Sequence, residues 1–273
     1  MSKPARERLP AVDARIVQPE SRAEIVRGFL LMTPPAGEPH ATLHLTLAYV
    51  LAAHVADGFK AAVDMLTRTG HDSDFAPDAS VYPSARDPKT GGRQLEELAF
   101  EIAATQPLDA AAEKARELVR RGVRRVFCVV VRHRRVVEWS SETDGWSPLP
   151  DSATITDRCF VRPLPIRALL DAAAADTAVI SALDARQHPA LKAIEARGEA
   201  RGEARGEARG EARGEARGEA HGRAAALLTV LASRGLAVTS AQRARIEAAD
   251  ADQLDAWLAT AATTPSTDAL IGE

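Results

Sequence analysis

The 273-residue chain reads as an α/β domain, a mixed β-sheet flanked by helices, followed by a long helix and a small helical tail. Three observations carry that expectation. Between residues 21 and 173, stretches with helical spacing of apolar residues alternate with short β-branched runs, the pattern of a sheet with helices packed on it. Over residues 195–222 one tetrapeptide recurs, six copies of Glu-Ala-Arg-Gly and a last Glu-Ala-His-Gly, in which Glu, Ala and Arg are good helix formers. Residues 223–273 then alternate Ala- and Leu-rich turns with helix caps and stops. Texture divides the chain accordingly. A flexible polar arm spans 1–20, the α/β domain 21–173, a helical linker with the repeat 174–222, and a helical module 223–273.

Taken in order, GFLLMT (28–33) reads as a strand ended by Pro34 and Pro35. ATLHLTLAYVLAAHV (41–55) has the spacing and length of a helix. FKAAVDMLTRT (59–69) reads as one strand, and DASVY (78–82) as a short one between Pro77 and Pro83. RDPKTGG (86–92) is a loop, and LEELAFEIA (95–103) turns into a strand in its second half. LDAAAEKARELVRRG (108–122) is a helix, with Asp109 placed to cap it and Gly122 to stop it. VRRVFCVVV (123–131) is a buried strand, and RRVVEWS (134–140) returns beside it after a turn around His133. LPIRALLDAA (164–173) closes the domain as a helix. The tail reads as helix, stop at Gly235, cap at Thr239 or Ser240, helix, cap at Asp250 and helix, with Leu254, Trp257 and Leu258 as its small core.

Hydrophobic residues make up 45% of the chain, enough for a real core, while the net charge of −3 excludes a chain that binds nucleic acid through bulk charge alone. A local basic patch stays open. Cys128 and Cys159 lie in apolar runs and give no disulfide framework. The first residues lack the apolar core of a signal peptide, and no stretch reaches the roughly 20 apolar residues of a membrane span. The expected setting is cytoplasmic, with no membrane.

Three charged residues stand out. Asp78 follows Pro77 at the start of a short strand. Glu101 interrupts the apolar LAFEIA, where a carboxylate is costly unless paired. Lys114 lies on the next helix. If the two strands are neighbours, both carboxylates turn into one pocket at the strand ends and the helix carries the ammonium over it. Such a pair makes a hard oxygen site for Mg²⁺, with Mn²⁺ also suited. That ion activates water and polarises a phosphodiester, and a lysine orients or deprotonates the water. Singly, each residue also has an ordinary reading: a turn cap, an arginine partner and a solvated helix face.

The order of these pieces resembles the putative restriction endonuclease family, a bacterial branch of the PD-(D/E)XK nuclease superfamily, over residues 24–172. The matching pieces are AEIVRGFLLMTPPAGEPHA (23–41), FAPDASVY (75–82), LAFEIAA (98–104) and EKARELVRRGVRRVFCVV (113–130). The resemblance implies a restriction-endonuclease-like core that cleaves DNA with a divalent metal. Asp78 and Glu101 would bind it, helped by the main-chain carbonyl of Ile102. Lys114 would be the catalytic lysine, moved from strand to helix, since Ala103 stands at the superfamily's usual lysine position. Glu24 would be an auxiliary acid. Ala104 and Thr105 replace the family's small hydroxyls, Leu118 its tyrosine and Val130 its aspartate. The tail, through RARIEAADADQLDAWLATA (243–261), resembles a helical module that follows charged repeats in bacterial transposase-like nucleases.

Other features carry weaker expectations. His40 and His44 have an i, i+4 spacing that suits zinc, but no third ligand follows at a convincing spacing, so they read as a helix-start and a core-edge histidine. Arg120, Arg121, Arg124, Arg125, Arg132, Arg134 and Arg135 cluster in sequence as a phosphate-binding patch or as a solvated sheet edge. Phosphate loops of the Walker and Rossmann types are absent. Within the repeat, Glu and Arg are two or six residues apart and never three or four, so no intrahelical ion pair forms. Its seven glycines each weaken a lone helix by about 0.8–1 kcal/mol. A second chain offers the missing charge partners, so residues 188–240 are expected to form a homo-oligomer; a flexible linker is the other reading. The leading function is a Mg²⁺-dependent DNA endonuclease. The alternative is an inactive nuclease-like module for DNA binding or assembly, and a zinc hydrolase using His40 and His44 comes third.

Overall fold

In a computed structural model, residues 9–33, 35–104 and 107–272 are described. The expectations for the first eight residues of the arm, for Pro34 and for Thr105 lie outside them. The chain divides into two compact units, Met1–Leu191 and Lys192–Glu273.

The first unit opens with a hairpin, β1 (Ala23–Val26) and β2 (Phe29–Met32). Arg27 and Gly28 both take positive φ between them, the backbone that a two-residue hairpin turn requires. Helix α1 (Glu38–His54) begins at Glu38 rather than at 41, with Pro39 in its first turn. Next come β3 (Phe59–Val63), β4 (Thr67–Arg68), β5 (Asp74–Phe75), β6 (Ala79–Pro83) and β7 (Leu98–Ala103). Helix α2 (Leu108–Arg121) crosses over to β8 (Arg125–Val130), and β9 (Arg135–Ser140) and β10 (Gly145–Leu149) follow. The pair β11 (Thr154–Ile155) and β12 (Leu164–Pro165) precedes α3 (Ala172–Ala185).

These strands form a four-stranded sheet, β2-β1-β5-β4, and a six-stranded one, β10-β9-β8-β7-β6-β3. In the larger sheet only β7 and β8 run parallel, which is why a helix must connect them. The β8–β9 hairpin turns through a 3-10 turn at Val131–His133 and a left-handed Arg134. All six residues of β7 are buried because helices cover both faces of this sheet. Leu98, Phe100 and Ile102 pack with Phe127, Val129 and the α1 and α3 residues Leu51 and Ala178. Ala99 faces Ala112, Ala115 and Leu118 of α2.

Three local expectations are corrected. Residues 59–69 are two strands of different sheets, because Asp64 adopts a left-handed φ and ends β3. Residues 164–173 are not one helix: Leu164–Pro165 pairs as a strand, Ile166–Leu169 is a 3-10 turn, and α3 starts only where Asp171 caps it. Asp109 lies inside the first turn of α2, whose cap position is Pro107, so it favours the helix dipole without capping. Strand β1 was not anticipated from the residues themselves. Gly122 ends α2 as expected, at φ 122°, with its N–H bonded to the Leu118 and Val119 carbonyls.

The second unit holds most of α4 (Pro189–Ser233), a helix of 45 residues and about 70 Å. Most of the repeat is exposed, and burial starts at Ala224, Leu227 and Leu231. These pack with Ile246 of α5 (Ser240–Ala248), Leu254, Trp257 and Ala261 of α6 (Ala251–Ala261), and Ile271 of α7 (Thr267–Ile271). Thr239 forms a capping box with Gln242, Asp250 caps α6, and Gly235 takes φ 71° after α4. Among the described residues, no helix is long and apolar enough to cross a membrane.

Candidate active site

Strand register assembles the acidic residues. Val63 of β3 pairs with Ala79 of β6, Ala79 with Phe100 of β7, and Glu101 with Cys128 of β8. One step past Ala79, the same register sets Asp64, just after β3, and Asp78, just before β6, in a row with Glu101 inside β7. Residues in one row share a face of the sheet. The Asp64 N–H donates to the Asp78 carbonyl at 3.3 Å, and Asp78 Oδ2 accepts the Ile102 N–H at 2.6 Å. The second bond locks the Pro-Asp segment onto β7.

Lys114 reaches this row from α2. Its Nζ lies 2.8 Å from Glu24 Oε2 on β1, 3.9 Å from Glu101 Oε2 and 3.3 Å from the Ala76 carbonyl, above the Phe75 ring. Glu24 also accepts the Ala76 N–H at 3.0 Å, so it ties lysine and loop together. Asp78, Glu101, Lys114 and Glu24 therefore meet at one place, drawn from both sheets and from α2.

The sequence reading did not place His40, His44 or Asp64 in this group. His40 Nε2 lies 3.3 Å from Asp78 Oδ1. His44 Nε2 lies 2.8 Å from the Asp78 carbonyl and 3.4 Å from Asp64 Oδ1. The two rings stack one helical turn apart, 6.0 Å between centroids. Their i, i+4 spacing was the signal, and the partner to seek was Asp78 rather than a third histidine. His44, Asp64 and Asp78 each offer one ligand atom within 4.8 Å of the others.

The electrostatics single out Glu101. Burial raises its pKa to about 8 against the opposing pull of Lys114, and Asp78 and Glu24 add to the rise. Its Oε1 is buried with no hydrogen-bond partner among the described residues. Burial would lower the pKa of Lys114, but Glu101 and Glu24 outweigh it and hold the ammonium charged above its ordinary range. The hydrogen bond to Asp78 raises His40. A buried carboxyl with one bare oxygen, beside a second carboxylate, fits a hard divalent cation.

The seven arginines separate into two groups. Arg124 and Arg125, at the start of β8, pair with Glu97, Asp157 and Glu138. Arg120 pairs with the buried Glu117, and Arg121 donates to the Pro10 carbonyl. Arg132, Arg134 and Arg135 are exposed at the other end of β8, the end at which β7 carries Glu101. Arg134 donates to the Leu170 carbonyl, whereas Arg132 and Arg135 form no ion pair among the described residues.

A mixed sheet flanked by helices, with carboxylates in a row across its strands and a lysine reaching them from α2, is the frame of a restriction-endonuclease-like domain. A family model described as Uma2, putative restriction endonuclease, matches residues 7–159, and the chain belongs to that family. Among solved structures it is similar to a putative nuclease belonging to DUF820 from Anabaena variabilis ATCC 29413. The identity is 15% and the TM-score 0.46, over 55% of this chain and 90% of that one. Among curated proteins there is no match.

Proposed function

We propose that the domain is a divalent-metal-dependent endonuclease that hydrolyses DNA phosphodiester bonds. The bare, buried oxygen of Glu101 beside Asp78 and Lys114 carries this reading. Asp78, Glu101 and the main-chain carbonyl of Ile102 would hold Mg²⁺, with Mn²⁺ as a substitute. When bound, such an ion polarises a phosphodiester and lowers the pKa of an attacking water. Lys114, kept protonated by its acidic neighbours, orients the water and stabilises charge growing on the phosphate. That protonation argues against a role for it as general base. Glu24 holds Lys114 in place, and His40 steadies the outer oxygen of Asp78. Arg132 and Arg135 take flanking phosphates. Self-association through residues 188–240 belongs to the same reading.

Cleavage of a supercoiled plasmid tests it, with Mg²⁺ or Mn²⁺, for wild type, Asp78→Ala and Lys114→Ala. Cleavage by wild type alone supports the assignment. Equal cleavage by all three would assign the activity to something other than this site.

A further inference from the structure

Asp64 belongs to the carboxylate row but not to the proposed Mg²⁺ ligands, and His44 reaches it from α1. His44 Nε2 lies 3.4 Å from Asp64 Oδ1 and 2.8 Å from the Asp78 carbonyl. His44, Asp64 and Asp78 each bring one ligand atom within 4.8 Å of the other two. Atoms held about 2.1 Å from one ion sit roughly 3.0–3.4 Å apart at right or tetrahedral angles, so the His44–Asp64 spacing is that of two ligands of one ion. Each side chain is set by a different element. His44 sits inside α1, Asp64 is the left-handed residue that ends β3, and Asp78 is tied to β7 through the Ile102 N–H. Asp64 is exposed and the other two are half-buried, so an ion can enter from solvent.

Charge gives a second, independent reason. Burial, and the charges of Asp78, Glu24 and Asp64, raise the Glu101 carboxyl against the pull of Lys114, so these groups share one field. With Glu101 ionised on a Mg²⁺ ion and both histidines neutral, the carboxylates of Glu24, Asp64, Asp78 and Glu101 face the one ammonium of Lys114. A single divalent ion then leaves the group net negative, which repels a phosphate. A second divalent ion reverses that sign. We propose that His44, Asp64 and Asp78 form a second cation site, selective for a first-row transition ion such as Mn²⁺ or Zn²⁺. An imidazole nitrogen suits those ions, whereas Mg²⁺ takes oxygen ligands and keeps its waters. Ligating through Nε2, the His44 ring carries its proton on Nδ1. Water or a phosphate oxygen completes the shell. Asp78 belongs to both sites, and in that respect alone the inference rests on the proposed function.

Calorimetric titration of the full chain tests it, with Mn²⁺ and Mg²⁺ in separate runs. His44→Ala and Asp64→Asn should each bind one Mn²⁺ fewer than wild type, with Mg²⁺ binding unchanged. Glu101→Gln should lose Mg²⁺ and keep the Mn²⁺ that His44 holds. In that variant, pulsed electron paramagnetic resonance should detect a nitrogen nucleus coupled to Mn²⁺, and adding His44→Ala should erase the coupling. Circular dichroism confirms that the variants fold. Mn²⁺ binding indifferent to both His44→Ala and Asp64→Asn overturns the proposal, as does a nitrogen coupling that survives removal of His44. Loss of Mg²⁺ together with every Mn²⁺ in His44→Ala also overturns it, because the residues would then form one site rather than two. Mg²⁺ binding unaltered by Glu101→Gln, with the losses in His44→Ala and Asp64→Asn as expected, counts against the proposed Mg²⁺ ligands and leaves the His44 site supported.

Discussion

Glu101 sits in a strand whose every residue is buried, and its cost was readable before any coordinates: a carboxylate amid LAFEIA demands a partner. Asp78 and Lys114 each have an ordinary reading alone, and stand out in the sequence only through their order with Glu101 and the family resemblance that order carries. Asp64 was not legible, because its place in the row depends on a left-handed break that no apolar pattern announces. Glu24 changes meaning. Its two oxygens bind Lys114 and the loop before Asp78, which fits the proposed site as a positioning residue. Glu24→Gln should lower cleavage about ten-fold while leaving Mn²⁺ affinity, measured by calorimetry, little changed. An unaltered rate would remove Glu24 from the site. Asp157 carries a separate prediction for stability. Burial would raise its carboxyl, but hydrogen bonds from Arg124 and the Cys159 N–H prevail and hold it at about 2, below its ordinary 3.8. A depressed folded-state pKa contributes stability that is complete above the unfolded value and lost as pH falls from about 4 toward 2. Acid unfolding of Asp157→Asn should therefore be flatter than that of wild type across that window.

At the level of elements, local chemistry was read well and pairing partners poorly. Gly122, Gly235, Thr239 and Asp250 end or begin helices because their backbone or side-chain needs are written in their own neighbourhoods. Residues 59–69 misled because a β-type run does not say which sheet each half joins. The repeat is the sharper case. No Glu–Arg pair at three or four residues exists inside it, and the i, i+4 pair at its end, Arg223 with Glu219, forms where the four-residue period breaks. At each of its seven glycines an added Cβ would meet nothing within 4 Å in a single copy. For one chain alone, Gly→Ala at Gly206, Gly210 and Gly214 should thus stabilise the helix by about 0.8–1 kcal/mol each. If the glycine stripe is where a second helix approaches closely, the same change should drive residues 188–240 toward monomer. Circular dichroism and sedimentation separate these effects, with more helix and less association as the expected pair. Wild-type residues 188–240 that sediment as a non-helical monomer would refute self-association through the repeat.

For the whole molecule, the informative quantity is where charge lies rather than its sum. With a net charge of −3, the proposed DNA binding must rest on a local patch. In sequence the arginines from 120 to 135 look like one cluster. Six residues of β8, about 20 Å of strand, hold its two halves apart. In one half, Arg120, Arg124 and Arg125 are bound up in ion pairs with Glu117, Glu97, Asp157 and Glu138, and Arg121 is held by the Pro10 carbonyl, so this half serves the fold. The other half, Arg132 and Arg135, stands exposed at the end that carries Asp78 and Glu101. The two groups should separate in one experiment. Arg132→Ala and Arg135→Ala should each weaken duplex DNA binding and reduce the slope of log affinity against log salt by about 0.9, with the melting temperature unchanged. Arg124→Ala should lower the melting temperature, because it strips partners from Glu97 and the buried Asp157, while leaving that slope as it was. A slope that responds to Arg124 and ignores Arg132 and Arg135 would move the DNA path to the opposite end of the sheet, away from Lys114 and the carboxylates.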